Sequence, residues 1–399
     1  MNPQMRRLAA ALAVVAVAAG LMAVGRARPP AAPQKKLIEY GWDVPYPDFV
    51  RQHARAMEER PFDGVVVRLR AGLKVFAHRA MPEAAFTEDV AHLKAAAFTR
   101  MRDNFVLMWT APEEGWDWAD DRDFTAGAQN VRLFARAARA GGLRGIAADY
   151  EAYDGNAFAY SRQHCARHDD FAGCAALVRR RGAALMRIMQ QEFPDIRILA
   201  LFQATMFDPA LAARDEAARQ RALAVADYGL LPAFLDGLLE AAVGASTIID
   251  GNEPAYYYGS RAEFFAARET ILRRGPALVA PANRPRYARH VQAGHAVFVD
   301  QLFALRPPAD NGPAAALTPA ERARWLEHNV YYALAAADEY AWVYSERMSW
   351  WAGQVPPGAE EAVRAARQKI RAGQALGFDI EPMVRAAKAA RARASHAAP

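Results

Sequence analysis

A chain of 399 residues with 53% hydrophobic and 24% charged side chains can bury a large core and has none of the marks of a disordered or low-complexity protein. Its formal charge of +6 invites a nucleic-acid partner, but residues 1–36 hold six Lys/Arg and no acid, and residues 379–399 hold four against two acids. The body between them keeps 40 basic and 42 acidic groups, so nucleic-acid binding by it loses electrostatic support.

In chain order, "MNPQMRRLAAALAVVAVAAGLMAVGRARPP" places Arg6-Arg7 before an unbroken apolar run from Leu8 to Val24. Residues 1–34 read as a signal peptide, with an uncleaved inner-membrane anchor through residues 8–24 as the alternative, since a span needs about 17–25 residues. No cysteine lies near the run, which argues against a lipoprotein anchor. The protein is expected to be exported, periplasmic or secreted, and to meet a membrane only through that segment.

From Leu37 onward, eight short apolar runs end in polar or aromatic residues: 37–43, 63–69, 104–110, 144–151, 196–204, 246–253, 294–301 and 340–346. Helical patterns lie between and after them at about 48–60, 87–101, 120–141, 174–193, 228–242, 260–274, 318–339 and 357–376. Thr87 ahead of Glu88 and Asp89, Ser260 with Glu263, and Thr318-Pro319 with Glu321 are start signals, the last two of capping-box type. Eight strand–helix units predict an α/β fold, a single (β/α)₈ TIM barrel over residues 37–378, in preference to an open doubly wound sheet. The basic, Ala/Arg-rich tail at 379–399 is expected to become frayed helix or disorder after about residue 385. Cys165 and Cys174, nine apart in one polar segment, are expected to close a small disulfide loop in an oxidising compartment.

In such a barrel, chemistry gathers at the C-terminal ends of the strands. The predicted ends carry Trp42 and Asp43, Arg68, Trp109, Asp149 and Glu151 with Tyr153 close behind, Asp250, Asn252 and Glu253, and Glu346 followed by Trp350 and Trp351. Strand ends become polar wherever they meet solvent, but indole rings are costly to expose, and a rim of Trp and Tyr suits the apolar faces of sugar rings. Alternation along the fourth run sends residues 147, 149 and 151 to one side, so Asp149 and Glu151 point together, and like charges that close raise one pKa. Each partner also has a plainer role. Asp250 before Gly251 shapes a turn, Glu253 pairs with Arg68, Glu346 pairs with Arg347, and Asp43 starts a turn before Pro45. There is no G-x-S-x-G elbow, H-E-x-x-H or phosphate loop, and the nine histidines form no ligand set, so neither cofactor nor metal is expected. A divalent ion held by several carboxylates is the one metal chemistry left open.

"GIAADYEAY" (145–153) resembles the end of the fourth-strand signature of chitinase-like (family 18) glycoside hydrolases, a G-[IV]-x-x-D-x-E run closing on the acid Glu. Gly145, Ile146, Asp149, Tyr150 and Glu151 fit, and Ala147 stands where that family has an earlier Asp. With "IEYGWDVP", "IIDGNE" and "WVYSE" before Trp350-Trp351, the chain resembles a bacterial family related to barrel glycoside hydrolases. The resemblance implies Glu151 as general acid/base, with Asp149, Glu346, Glu253 or Asp250 as its partner. It also implies a carbohydrate substrate met by Trp42, Asp43, Arg68, Trp109, Tyr153, Asp250, Asn252, Trp350 and Trp351. A non-catalytic carbohydrate-binding barrel and a cell-envelope scaffold are the competing expectations.

Overall fold

The computed structural model describes residues 34–397 apart from residues 168, 308 and 309. The expected signal or anchor at residues 8–24 lies outside the described residues, and among those described no helix is long and apolar enough to cross a membrane.

The strands are β1 (Lys36–Gly41), β2 (Gly64–Val67), β3 (Phe105–Trp109), β4 (Gly145–Asp149), β5 (Arg197–Ala200), β6 (Thr247–Asp250), β7 (Val291–Ala293), β8 (His295–Phe298) and β9 (Tyr340–Ser345). Every ladder is parallel, in the order β7-β6-β5-β4-β3-β2-β1-β9-β8. Helices cover the outer side, so both faces of the sheet are buried. All residues of β2 and β4 are buried, which is why these segments, up to Asp149 at the end of β4, are apolar and do not alternate.

The order starts and ends on two halves of one stretch separated only by Gly294. Val291–Ala293 pairs with β6, and His295–Phe298 pairs with β9. The seventh expected run, 294–301, supplies only β8; β7 lies just ahead of it, the two share one strand position, and the sheet curls into a nearly closed barrel with eight strand positions. Gly294 is required at the split, because a Cβ there would lie 2.8 Å from Ile249 Cγ2 and 3.0 Å from the carbonyl oxygens of Asp250 and Tyr340.

Side chains fill the barrel in layers. Tyr340 of β9 plugs the N-terminal end, packing edge-on to Phe105 at 5.5 Å and hydrogen bonding Asp103 Oδ1 at 2.9 Å. Above it the fully buried Trp342 donates its indole N–H to the Gly251 carbonyl at the end of β6 (2.8 Å). Tyr40 of β1 and Tyr344 of β9 lie above Trp342, their rings 5.4 Å apart. The Tyr40 hydroxyl reaches Asp149 of β4 at 3.4 Å, so Asp149 faces the barrel axis at the C-terminal end, as the alternation predicts.

The expected helices include Asp121–Ala140 and Pro319–Ala336, each slightly shorter than expected, and Phe171–Glu192, which starts three residues earlier than expected. Thr318 and Glu321 form the full capping box. Thr87 is not a cap: the helix Phe86–Ala95 grows out of a 3-10 turn at Glu83–Ala85, and the buried Phe86 anchors its entry. Helices Glu216–Ala224 and Arg284–His290 lie within stretches read as connections. Glu381–Ala397 is helical, with Ile380, Val384 and Ala387 buried along one stripe and Val384 against Gly259, so the tail begins as a packed helix. Cys165 and Cys174 are joined, with Cα atoms 5.7 Å apart, tying the loop after β4 to the helix Phe171–Glu192.

Candidate active site

A cavity of about 180 Å³ opens at the C-terminal end of the barrel. Tyr40 comes to it from β1, Asp149 from β4 with Glu151 and Tyr153 from the following loop, and Phe298 from β8. Tyr344 and Glu346 come from the end of β9, Glu253, Tyr256 and Tyr257 from the turn after β6, and Leu201 and Arg306 complete the wall.

Asp149 is fully buried at the floor. Its Oδ1 accepts the backbone N–H of Glu151 at 2.9 Å, which fixes the turn presenting the Glu151 side chain. Its Oδ2 accepts the Tyr153 hydroxyl at 3.0 Å and the Tyr40 hydroxyl at 3.4 Å. Burial raises its pKa, and the charge of Glu151 adds to this, while the Glu151 N–H and the two hydroxyls oppose it. The result is about 7.

Glu253 is held by a turn built for the purpose. Asp250 Oδ1 accepts the Asn252 N–H at 3.1 Å, and Asp250 Oδ2 accepts the Ala204 N–H at 2.8 Å. Asn252 adopts the left-handed conformation (φ 45°), which Asn tolerates better than most residues, and its side-chain amide donates to His295 Nδ1 at 2.9 Å. Burial depresses the His295 pKa to about 3, so the imidazole is neutral and able to accept that bond. The Glu253 N–H then donates to the Leu201 carbonyl at 3.0 Å. One carboxyl oxygen, Oε2, ends buried with no hydrogen-bond partner among the described residues. Burial first, then the charges of Glu151 and Asp149, push the Glu253 pKa to about 8. At neutral pH Glu253 is therefore mostly protonated.

Glu346 stands on a segment fixed by Asp300, which accepts the N–H groups of Glu346 (2.9 Å) and Arg347 (2.7 Å). Burial and the Asp300 charge raise its pKa, and Arg306 opposes them.

Of the sequence candidates, Asp149, Glu151, Tyr153, Glu253 and Glu346 meet at the cavity, and the others do not line it. The aromatic wall is tyrosine, not tryptophan. Trp350 is fully buried, edge-on to Phe62 at 4.9 Å, and its backbone N–H is held by Asp43 at 2.9 Å. Trp351 is half-buried against the same ring. Trp42 is 65% exposed and donates its indole N–H to the Tyr344 hydroxyl at 3.0 Å, which puts it on the rim. Trp109 backs Tyr153 in a stack at 4.7 Å. Arg68 lies over the Tyr46 ring, 5.6 Å from its centre, rather than beside Glu253. Asp250 and Asn252 are fully buried supports of the turn, not substrate contacts.

Sequence reasoning missed Tyr40, Tyr256, Tyr257, Phe298, Tyr344 and Arg306. The alternation that turned Asp149 inward applies equally to Tyr344, two residues past the inward Trp342, so that one was within reach. Among the described residues no group of three or more His, Cys, Asp or Glu side chains is disposed to hold a metal ion. Compared with known proteins, the chain matches no family model and no curated sequence.

Proposed function

We propose that the protein is a glycoside hydrolase that cuts an oligo- or polysaccharide by carboxyl acid/base catalysis, with Glu151 and Glu253 as the reacting pair. The observation that carries this reading is the cavity itself. It is a tyrosine-walled hollow on the scale of one sugar ring, smaller than a drug-sized pocket of about 300–1,000 Å³, lined by Glu151 and by a mostly protonated Glu253 whose buried Oε2 has no hydrogen-bond partner among the described residues. Glu253 supplies the proton to the departing glycosidic oxygen. Glu151 either attacks the anomeric carbon or takes a proton from the attacking water, and the anomeric form of the first product distinguishes these routes. Asp149 beneath them holds the Glu151 turn and shares in the charge balance. Export is part of the proposal, supported by Arg6-Arg7 ahead of the apolar run and by the Cys165–Cys174 bond, since disulfides persist in oxidising compartments.

The test is a pair of variants assayed on glycosides of graded leaving-group acidity, after a screen over linkages has found an active substrate. Glu253→Gln is expected to lose about 10²–10⁴-fold on unactivated substrates and much less on activated aryl glycosides, which need no proton. Glu151→Gln is expected to lose a similar factor on both while still binding sugar. Full hydrolysis by Glu151→Gln overturns the assignment.

A further inference from the structure

A ligand in this cavity meets its charge as well as its size. Four carboxyl groups, Asp149, Glu151, Glu253 and Glu346, share the lining with a single cation, Arg306. That guanidinium is already engaged, with its central carbon 5.6 Å from the centre of the Phe298 ring, and it also acts on Glu346. Glu253 Oε2 has no partner in the wall. Tyrosine rings form much of the remaining surface, and the faces of aromatic rings attract cations. At neutral pH Glu253 is mostly and Asp149 partly protonated, but a cation placed among the four carboxyls would draw those protons off, so the lining, tyrosine faces included, favours a positively charged guest.

We infer that the ring bound in the cavity is a sugar with a free amino group, so that the substrate class is a glycan of non-acetylated hexosamines. This rests on the glycoside hydrolase reading. An ammonium substituent supplies the positive charge that the carboxyls lack, whereas an N-acetyl group brings a neutral amide and greater bulk. Longer chains have somewhere to go, because Trp42, Tyr257 and Tyr153 are 65%, 58% and 46% exposed at and beside the opening, and each offers a ring for stacking the next sugar.

The test uses the full chain carrying Glu253→Gln, which removes the proton donor but no charge, in calorimetric titrations at about pH 6, where carboxylates of ordinary pKa are ionised and sugar amines are protonated. The probes are tetramers of β-1,4-glucosamine and of α-1,4-galactosamine, their N-acetylated counterparts, and a neutral glucan tetramer. One amine tetramer is expected to bind about ten-fold or more tightly than its acetylated counterpart, the scale of one charge-assisted hydrogen bond. Added salt should shrink that advantage, and so should a second change, Glu346→Gln. If Glu346→Gln fails to fold, the salt series decides the same point.

Equal or tighter binding of the acetylated or neutral tetramers overturns the inference and leaves the hydrolase reading standing. Binding of spermidine or tetramethylammonium with no tetramer bound overturns both. An amine preference unaffected by salt and by Glu346→Gln overturns its electrostatic origin.

Discussion

Asp149 and Asp250 end the fourth and sixth strands, both fully buried, and both have pKa values raised chiefly by burial. They differ in what holds them. Both Asp250 oxygens are taken by main-chain N–H groups of Ala204 and Asn252, whereas Asp149 spends one oxygen on the Glu151 N–H and turns the other to the hydroxyls of Tyr153 and Tyr40. A backbone N–H can only donate, but a hydroxyl can donate or accept. Asp250 is thus locked into its charge pattern by the fold. Asp149 sits in a shell that can rearrange with its protonation state, and only Asp149 lines the cavity.

Substitution by Asn sharpens this contrast. The largest effect is expected from Asp250→Asn, because the new amide must point an N–H at one of two donors that cannot turn away. A loss of about 1–3 kcal/mol in unfolding free energy follows, measured by denaturant titration, together with lower activity as the Glu253 turn loosens. If Asp250→Asn is as stable as the parent, the two aspartates do not differ in the way described.

Asp149→Asn is expected to fold, since its amide can face the tyrosine hydroxyls while its oxygen keeps the Glu151 N–H. The pH dependence has a definite sign. The folded-state pKa of about 7 lies above the 3.8 of a free aspartate side chain, so the parent is penalised as pH rises from about 4 towards 7 while the Asn variant is not. The stability of Asp149→Asn relative to the parent should therefore climb over that window and level off above it. A flat difference between acid and neutral pH would break the comparison.

The smallest effect belongs to Tyr153→Phe. Removing that hydroxyl takes away a bond that favours the charged form of Asp149, so any limb of the pH–rate profile due to Asp149 moves to higher pH, by a fraction of a unit to about one unit. Unfolding free energy should change little, because Tyr153 is 46% exposed.

The barrel was legible because its strands are buried on both faces and so appear as short apolar blocks at regular intervals, and Asp149 with Glu151 was legible because the polar end of such a block is abrupt. The supporting cast was harder to read. "IIDGNE" offers three polar candidates with equal claim, and only the left-handed turn at Asn252 separates Asp250 and Asn252, which serve the backbone, from Glu253, which serves the cavity. Trp350 and Trp351 looked like a rim because tryptophan is costly to expose, yet Phe62 gives them a buried neighbour 288 or more residues away, which local pattern does not reveal. Glu39 was passed over inside an apolar run. It is fully buried away from the cavity, and burial, with Asp43 beside it, pushes its pKa well above the usual carboxylate range.

The split at Gly294 has a consequence for how the molecule loosens. Here three residues hold to β6 and the next four to β9, a division that β2 repeats on a smaller scale, with Gly64 and Val65 on β1 and Val66 and Val67 on β3. The barrel is therefore fastened along one side by two short clasps in series, and opening either one parts the ring without disturbing the rest. Deuterium uptake under native conditions should begin among the amides of residues 291–298, ahead of those of 145–149, making this side the door through which the interior first meets water.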